Sequence, residues 1–239
     1  MCTLSWRHAP GRRGYHLFFN RDERKDREAA EPPALSDAAG VRYLAPRDPR
    51  AGGTWMLANE YGLTVALLNH YAADTPATRP ENATSRGRLV LEFATCRDAA
   101  DFRARVPERQ RAGRYPAFLL FALDAGCDVS LWRWDGNELL ELDAPEQRFL
   151  TTSSYRSAEV IATRAEARER YANDLKELHA QHDPAAAPLS VRMRRPDSQT
   201  VSRSEVIVSR DDVRFRYTPE AIDSLEELPP HESALSFRA

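Results

Sequence analysis

Met1-Cys2-Thr3-Leu4 opens the chain, and Asn20-Arg21-Asp22-Glu23 closes the next apolar segment. Cys2 to Trp6 reads as a short strand. Gly14 to Phe19 (Gly-Tyr-His-Leu-Phe-Phe) reads as its hairpin partner, with Pro10-Gly11 in the turn. Such a hairpin returns residues 20–23 to the start of the chain, beside Cys2. A small second residue favours removal of the initiator Met, which leaves Cys at the terminus. A thiol titrating near ~8.5 and an α-amine near ~8 then sit on one residue. That residue supplies both a nucleophile and its general base. An Asp there can hold the α-ammonium or orient the amine, and an Arg can lower the thiol pKa; a solvated charged turn is the other reading of this tetrapeptide.

Further along, Ala51-Gly52-Gly53-Thr54-Trp55 leads into a strand over 54–58. Asn59-Glu60-Tyr61-Gly62 makes a turn, and an apolar strand from Leu63 to Leu68 ends at Asn69. A side-chain amide at a strand end is a recurrent oxyanion donor in acyl transfer and an equally ordinary turn residue. Ser85 or Thr84 caps a helix expected to run through Thr95, and a second helix is expected from Arg97 to Arg105. Phe118–Leu123 and Val129–Trp134 form a hairpin. Segments 137–142 and 147–151 extend the sheet. A long charged helix is expected over 158–182, and strands over 205–209 and 213–217. Asp22 to Gly40 reads as a loop. Strands at both ends with helices grouped between them indicate an α+β layered fold, not alternating βαβ units. The reading is one domain over 1–218 and a surface tail over 219–239.

The chain has 239 residues with 42% hydrophobic content, enough for one sizeable core. A net charge of -2 argues against nucleic acid or an anionic membrane surface as partner. Of its 34 basic residues only Lys25 and Lys176 are lysine, a bias that reads as codon usage. There is no apolar run of bilayer-spanning length and no signal-peptide pattern at the start. Three cysteines do not make a disulfide framework, which suits a reducing, cytoplasmic setting. His179, His182 and Asp183 lack a further ligand cluster and a Glu base, so no metal site is expected. Gly52-Gly53 precede a strand and not a helix, so no phosphate loop is expected either. No cofactor follows from these patterns.

The opening tetrapeptide, Asn20-Arg21-Asp22-Glu23, the Gly-Gly-Thr-Trp run, Gly62–Asn69, Ser85-Arg86-Gly87 and the segment around Arg203 together resemble the NRDE family, also called the transport and Golgi organisation protein 2 family. The match keeps its order from residue 1 to about 217. That family in turn resembles N-terminal nucleophile hydrolases of the penicillin V acylase and bile salt hydrolase type. The resemblance implies a four-layer αββα sandwich and cleavage of a small amide, thioester or acyl conjugate. It implies Cys2 as nucleophile and base, Asp22 positioning its amine, Asn69 as oxyanion donor, and Arg203 and Arg21 near the nucleophile. Asn20, Thr152, His70 and Trp55 are the substrate-contacting candidates. Thr152 stands where the acylases carry a second Asn, so one oxyanion donor is a hydroxyl or is missing. Arg21 sits directly before Asp22, an offset different from theirs. The same resemblance implies a second option, a non-catalytic protein carrying heme or an acyl-lipid or acyl-coenzyme A ligand, with His70 a candidate axial ligand.

Overall fold

The computed structural model describes residues 2–11, 13–71 and 80–238. Met1 of the opening motif lies outside them. Two antiparallel sheets organise the chain. The first holds β1 (Cys2–His8), β2 (Tyr15–Arg24), β10 (Phe149–Thr152), β11 (Ser198–Val208), β12 (Asp212–Pro219) and β13 (His231–Ser236), in the order β10-β1-β2-β11-β12-β13. The second is a sequential meander of β3 (Glu31–Ala38), β4 (Val41–Arg47), β5 (Met56–Asn59), β6 (Thr64–Asn69), β7 (Phe118–Leu123), β8 (Val129–Trp134) and β9 (Leu139–Leu142). Helices α1 (Arg86–Leu91) and α2 (Ala99–Arg111) lie between β6 and β7, and α3 (Ser157–Arg170) and α4 (Leu175–Ala180) between β10 and β11.

Period-two alternation divides the apolar residues between the faces of each strand. Leu4, Trp6, Leu17 and Phe19 of the first sheet pack on Met56, Ala66, Leu68 and Phe121 of the second. The opposite face of the meander, including Leu57, Val65 and Phe118, packs on Leu89, Val90, Phe93 and Phe102 of α1, α2 and the turn between them. The opposite face of the first sheet packs Phe18 and Phe149 on Ala167, Leu175 and Leu178 of α3 and α4. Each fully buried large side chain contributes about 1.5–3 kcal/mol. Among the described residues, no helix is long and apolar enough to cross a membrane.

Several expectations from sequence are corrected. The segment read as a loop from Asp22 to Gly40 instead continues β2 to Arg24 and forms β3. Pro32 and Pro33 hid that strand, and β3 is an edge strand, where a missing N–H is tolerated. The single helix over 158–182 is two. A turn intervenes, and Asp174 starts α4 by accepting from the Glu177 N–H at 3.0 Å. The first short helix ends at Leu91, before Thr95. The second begins after an Asp98 cap and runs through Pro107 to Arg111. The expected tail contains β13, paired antiparallel with β12 from Asp212↔Ser236 to Tyr217↔His231. Beyond it, the Arg238 N–H donates to the Glu60 carbonyl and the Arg238 guanidinium to the Gly40 carbonyl, which fastens the first sheet's last strand to turns of the second.

Candidate active site

Strand β1 is paired on both sides, Cys2 facing Arg21 on β2 and Thr152 on β10. Directly paired residues share a face, so Cys2, Arg21 and Thr152 lie on one side of the sheet. Cys2 is 8% exposed at the floor of a cleft of about 350 Å³, which Arg21, Asp22, Trp55 and Asn69 also line. Burial pushes the Cys2 thiol up to about 11. The Asp22 charge adds to that rise, while the Asp22 backbone N–H on the sulfur and the Arg21 charge oppose it. Arg21 lies over the Trp55 ring, 4.4 Å from its centroid, and reaches Glu23 at 3.2 Å and Asp48 at 3.6 Å.

Asp22 is one residue further on, so its side chain turns to the helical face. There it meets Arg164 of α3, a side chain with no exposure, at 3.2 Å. Arg164 also donates to Thr3 Oγ1 at 2.8 Å, Thr151 Oγ1 at 3.1 Å and the Leu189 carbonyl at 3.3 Å. The other Asp22 oxygen accepts from Thr200 Oγ1 at 2.7 Å. The Asp22 carboxylate is thus held by a buried cation and a hydroxyl.

Asn69 ends β6 and its Nδ2 donates to the Tyr71 hydroxyl at 2.9 Å, which occupies one of its two amide protons. Burial, and then the Cys2 charge, raise the Tyr71 phenol, which places that ring within electrostatic reach of the sulfur. Thr152 is 6% exposed and its Oγ1 has no hydrogen-bond partner among the described residues. Trp55 Nε1 is likewise buried without a partner.

The backbone that shapes the cleft mouth depends on two glycines. A Cβ on Gly53 would lie 2.4 Å from the Gly87 carbonyl carbon, and one on Gly87 2.9 Å from the Thr54 carbonyl oxygen. Their bareness lets Thr54 N–H donate to the Gly87 carbonyl at 3.0 Å. The Gly-Gly-Thr-Trp run and the Ser-Arg-Gly helix start are therefore two halves of one contact.

Three candidates lie elsewhere. Asn20 faces the helices, where its amide donates to the carbonyls of His179 at 3.0 Å and Val191 at 3.1 Å and its oxygen meets His179 Nδ1 at 2.8 Å. Arg203 pairs with Asn20 across β2 and β11, on the face opposite Cys2. It donates to Glu220 at 2.8 Å and also pairs with Glu227. His70 follows Asn69 but is absent from the cleft lining, and burial lowers its imidazole pKa. Among the described residues no three His, Cys, Asp or Glu converge as metal ligands.

Arg164, Thr200, Tyr71 and the cleft-lining Arg27, Asp48 and Arg86 are not anticipated from sequence. Arg164 did leave a signal. Val160, Arg164 and Ala167 form the buried stripe of α3, so a charge interrupts an apolar face at core spacing.

Comparison with curated proteins finds no matching sequence. Among solved structures, the chain is similar to a mutant conjugated bile acid hydrolase from Clostridium perfringens (TM-score 0.57, 11% identity, covering 99% of this chain and 92% of that one). It is similar to penicillin V acylase from Agrobacterium tumefaciens (0.56, 14%, 98% and 86%). It is also similar to a Caenorhabditis elegans ortholog of N-acylethanolamine-hydrolyzing acid amidase (0.51, 10%, 87% and 92%). At these identities the likeness speaks for the fold, that of the N-terminal nucleophile hydrolases. A family model described as Transport and Golgi organisation 2 matches residues 1–213. On that match, the chain belongs to the Transport and Golgi organisation 2 family.

Proposed function

We propose that this protein is an N-terminal cysteine amidohydrolase or acyltransferase acting on a small amide, thioester or acyl conjugate, built on a four-layer αββα sandwich. The layering is supported by the three apolar cores, one between the sheets and one between each sheet and its helices. The observation that carries the activity is the convergence of Cys2, Arg21, Asp22 and Asn69 on one cleft.

With Met1 removed, the α-amine of Cys2 takes the thiol proton as sulfur attacks the substrate carbonyl carbon. Proton transfer from the thiol to the amine accompanies attack. The free amide proton of Asn69, which lines the cleft, is the donor proposed for the oxyanion. Asp22, braced by Arg164 and Thr200, holds the resulting ammonium. That ammonium returns its proton to the leaving group as the C–N or C–S bond breaks, which leaves a thioester on Cys2. Water, or another acceptor, deprotonated by the same amine, attacks the thioester and releases the acyl product.

The other reading, a carrier of heme or an acyl-coenzyme A ligand, is favoured by the hydroxyl of Thr152 in place of a second amide. Limited alkylation at neutral pH, followed by mass analysis of the N-terminal peptide, separates the two. Catalysis requires Met1 to be absent and Cys2 to react before Cys96 and Cys127. It also requires Cys2→Ala to abolish turnover of amide and thioester substrates. Retained Met1, or a Cys2 no faster than the other thiols, sinks the hydrolase reading. Heme or acyl-coenzyme A binding that survives Cys2→Ala then supports the carrier.

A further inference from the structure

Among the described residues, Arg164 is the one arginine with no exposed surface. It sits in the buried stripe of α3 between Val160 and Ala167, where an apolar side chain would serve packing. A buried ion pair seldom adds stability over apolar residues of similar volume, so packing alone does not account for it. Its contacts are particular. Nη1 donates to Thr3 Oγ1 at 2.8 Å and to Thr151 Oγ1 at 3.1 Å, and Nη2 donates to Asp22 at 3.2 Å. Thr3 follows Cys2 on β1, Thr151 precedes Thr152 on β10, and Asp22 follows Arg21 on β2. From behind the sheet, one guanidinium therefore reaches the neighbour of each of the three residues that pair across it at Cys2. Asp22 is fixed from its other side by Thr200, whose Oγ1 accepts from the Met193 N–H at 2.9 Å and donates its one proton to the carboxylate at 2.7 Å.

The charges around Cys2 are few. On β2, Asp22 raises the proton affinity of Cys2 and Arg21 lowers it. Tyr71, beyond β6, is kept neutral because burial raises its phenol. Behind the sheet stand Arg164 and Arg168 of α3, Arg203 of β11 and His179 of α4. Burial lowers His179 to about 3, so it carries no charge. Arg203 is paired with Glu220 and Glu227, and Arg168 donates to the carbonyls of Gln147 and Ala172. Arg164 is the cation in contact with Asp22.

An N-terminal amine that serves as base must be free before attack and an ammonium after it. A lone buried carboxylate nearby would hold it as ammonium throughout, because an unmatched charge acts strongly where water is excluded. A carboxylate matched by a cation leaves the amine near its ordinary value of ~8. We propose that Arg164 is a positioning residue for the N-terminal nucleophile: by matching the Asp22 charge from behind the sheet, it keeps the Cys2 amine free to take the thiol proton. The assignment rests on the N-terminal nucleophile reading, but its test reads the thiol and does not require turnover.

The test is the rate of Cys2 alkylation by iodoacetamide between pH 6 and 10, followed by mass analysis of the N-terminal peptide. It uses the full chain, Arg164→Met, Arg164→Lys, Asp22→Asn and the double variant Asp22→Asn/Arg164→Met. Arg164→Met leaves Asp22 unmatched and is expected to react about tenfold more slowly at each pH, the effect of one charge ~10 Å away at an effective dielectric of ~20. Asp22→Asn is expected to react faster by a similar factor. The double variant and Arg164→Lys, which preserve the balance of charge, are expected within about twofold of the parent. A purely structural role predicts the opposite sign for Arg164→Met, because loosening the floor exposes a thiol whose proton affinity is raised by burial. An Arg164→Met rate equal to or above the parent's, or an Arg164→Lys rate as low as that of Arg164→Met, overturns the assignment. Should Arg164→Met fail to fold, the double variant and Arg164→Lys decide, and a clearly faster thiol in either overturns it. If the charge pattern holds and no amide is turned over, the role of Arg164 stands and the hydrolase reading falls. If amides are turned over while Arg164→Met leaves the Cys2 rate unchanged, the reverse is true.

Discussion

Arg164→Met tests whether the buried cation behind the sheet holds the floor of the cleft. The Arg164 side chain has no exposure, and it serves Asp22, Thr3, Thr151 and the Leu189 carbonyl at 2.8–3.3 Å. Methionine keeps most of the volume but leaves the Asp22 carboxylate uncompensated. Removing one partner of a buried pair typically costs ~3–5 kcal/mol, and the orphaned hydroxyls do not lessen it. For a domain of this size each kcal/mol moves Tm by about 2–4 °C, so the loss is roughly 6–20 °C. Urea denaturation supplies the free energy and calorimetry the Tm. Asp22→Asn removes the other charge, and the double variant Asp22→Asn/Arg164→Met should be destabilised by clearly less than the sum of the two singles. The reasoning is refuted if Arg164→Met lies within about 1 kcal/mol of the parent, or if the two substitutions add.

Four further outcomes are expected. Asn69→Ala should lower kcat on any turned-over amide by ~10²–10³ with stability little changed, and an unchanged kcat would remove Asn69 from the oxyanion site. Where Met1 is retained, the alkylation rate of Cys2 should climb about tenfold per pH unit and level off only near 11, whereas a plateau below pH 9 would contradict the buried thiol. Gly87→Ala should cost about 1–3 kcal/mol, because its Cβ would press on the Thr54 backbone, and a neutral result by urea melt would mean that the glycine contact is slack. His179 is buried and lowered to about 3, so the folded state stays unprotonated where the unfolded chain takes up a proton. Stability should therefore fall as pH drops below the ordinary imidazole value of 6.5, by about 2 kcal/mol at pH 5, and His179→Asn should flatten that slope.

The hairpin of β1 and β2 was legible because alternation and a Pro-Gly turn are local signals. So was the return of Arg21 and Asp22 to Cys2, which needs only antiparallel register. Asn69 followed from the end of an apolar strand. What escaped was set by partners distant in sequence. Arg203 reads as a site residue from its segment, yet the face it takes depends on a bulge at residue 201, and one residue of slip reverses a strand's faces. Asn20 differs, because it adjoins Arg21 on β2 and alternation alone turns it to the helical face. The helix break before Asp174 is visible as an Asn-Asp pair only once a long charged pattern is not assumed to be continuous. β3 was masked by its prolines and β13 by its polar composition, both being edge strands with little to bury.

The two sheets differ in a way that bears on how the molecule is made. Strands β3 to β9 neighbour one another in the order in which they are synthesised, so that sheet can form from local contacts while the chain is still emerging. The other sheet joins the first strands to the last, and β2 waits for β11, whose partners lie 174–193 positions away. Loop closure of that length is slow relative to a meander. The cleft around Cys2 is accordingly among the last parts to assemble, and until β11 docks, Asp22 has neither Thr200 against it nor the support of the strand beside it. A nascent chain carries the thiol from the first moment of synthesis but acquires its surroundings only near the end.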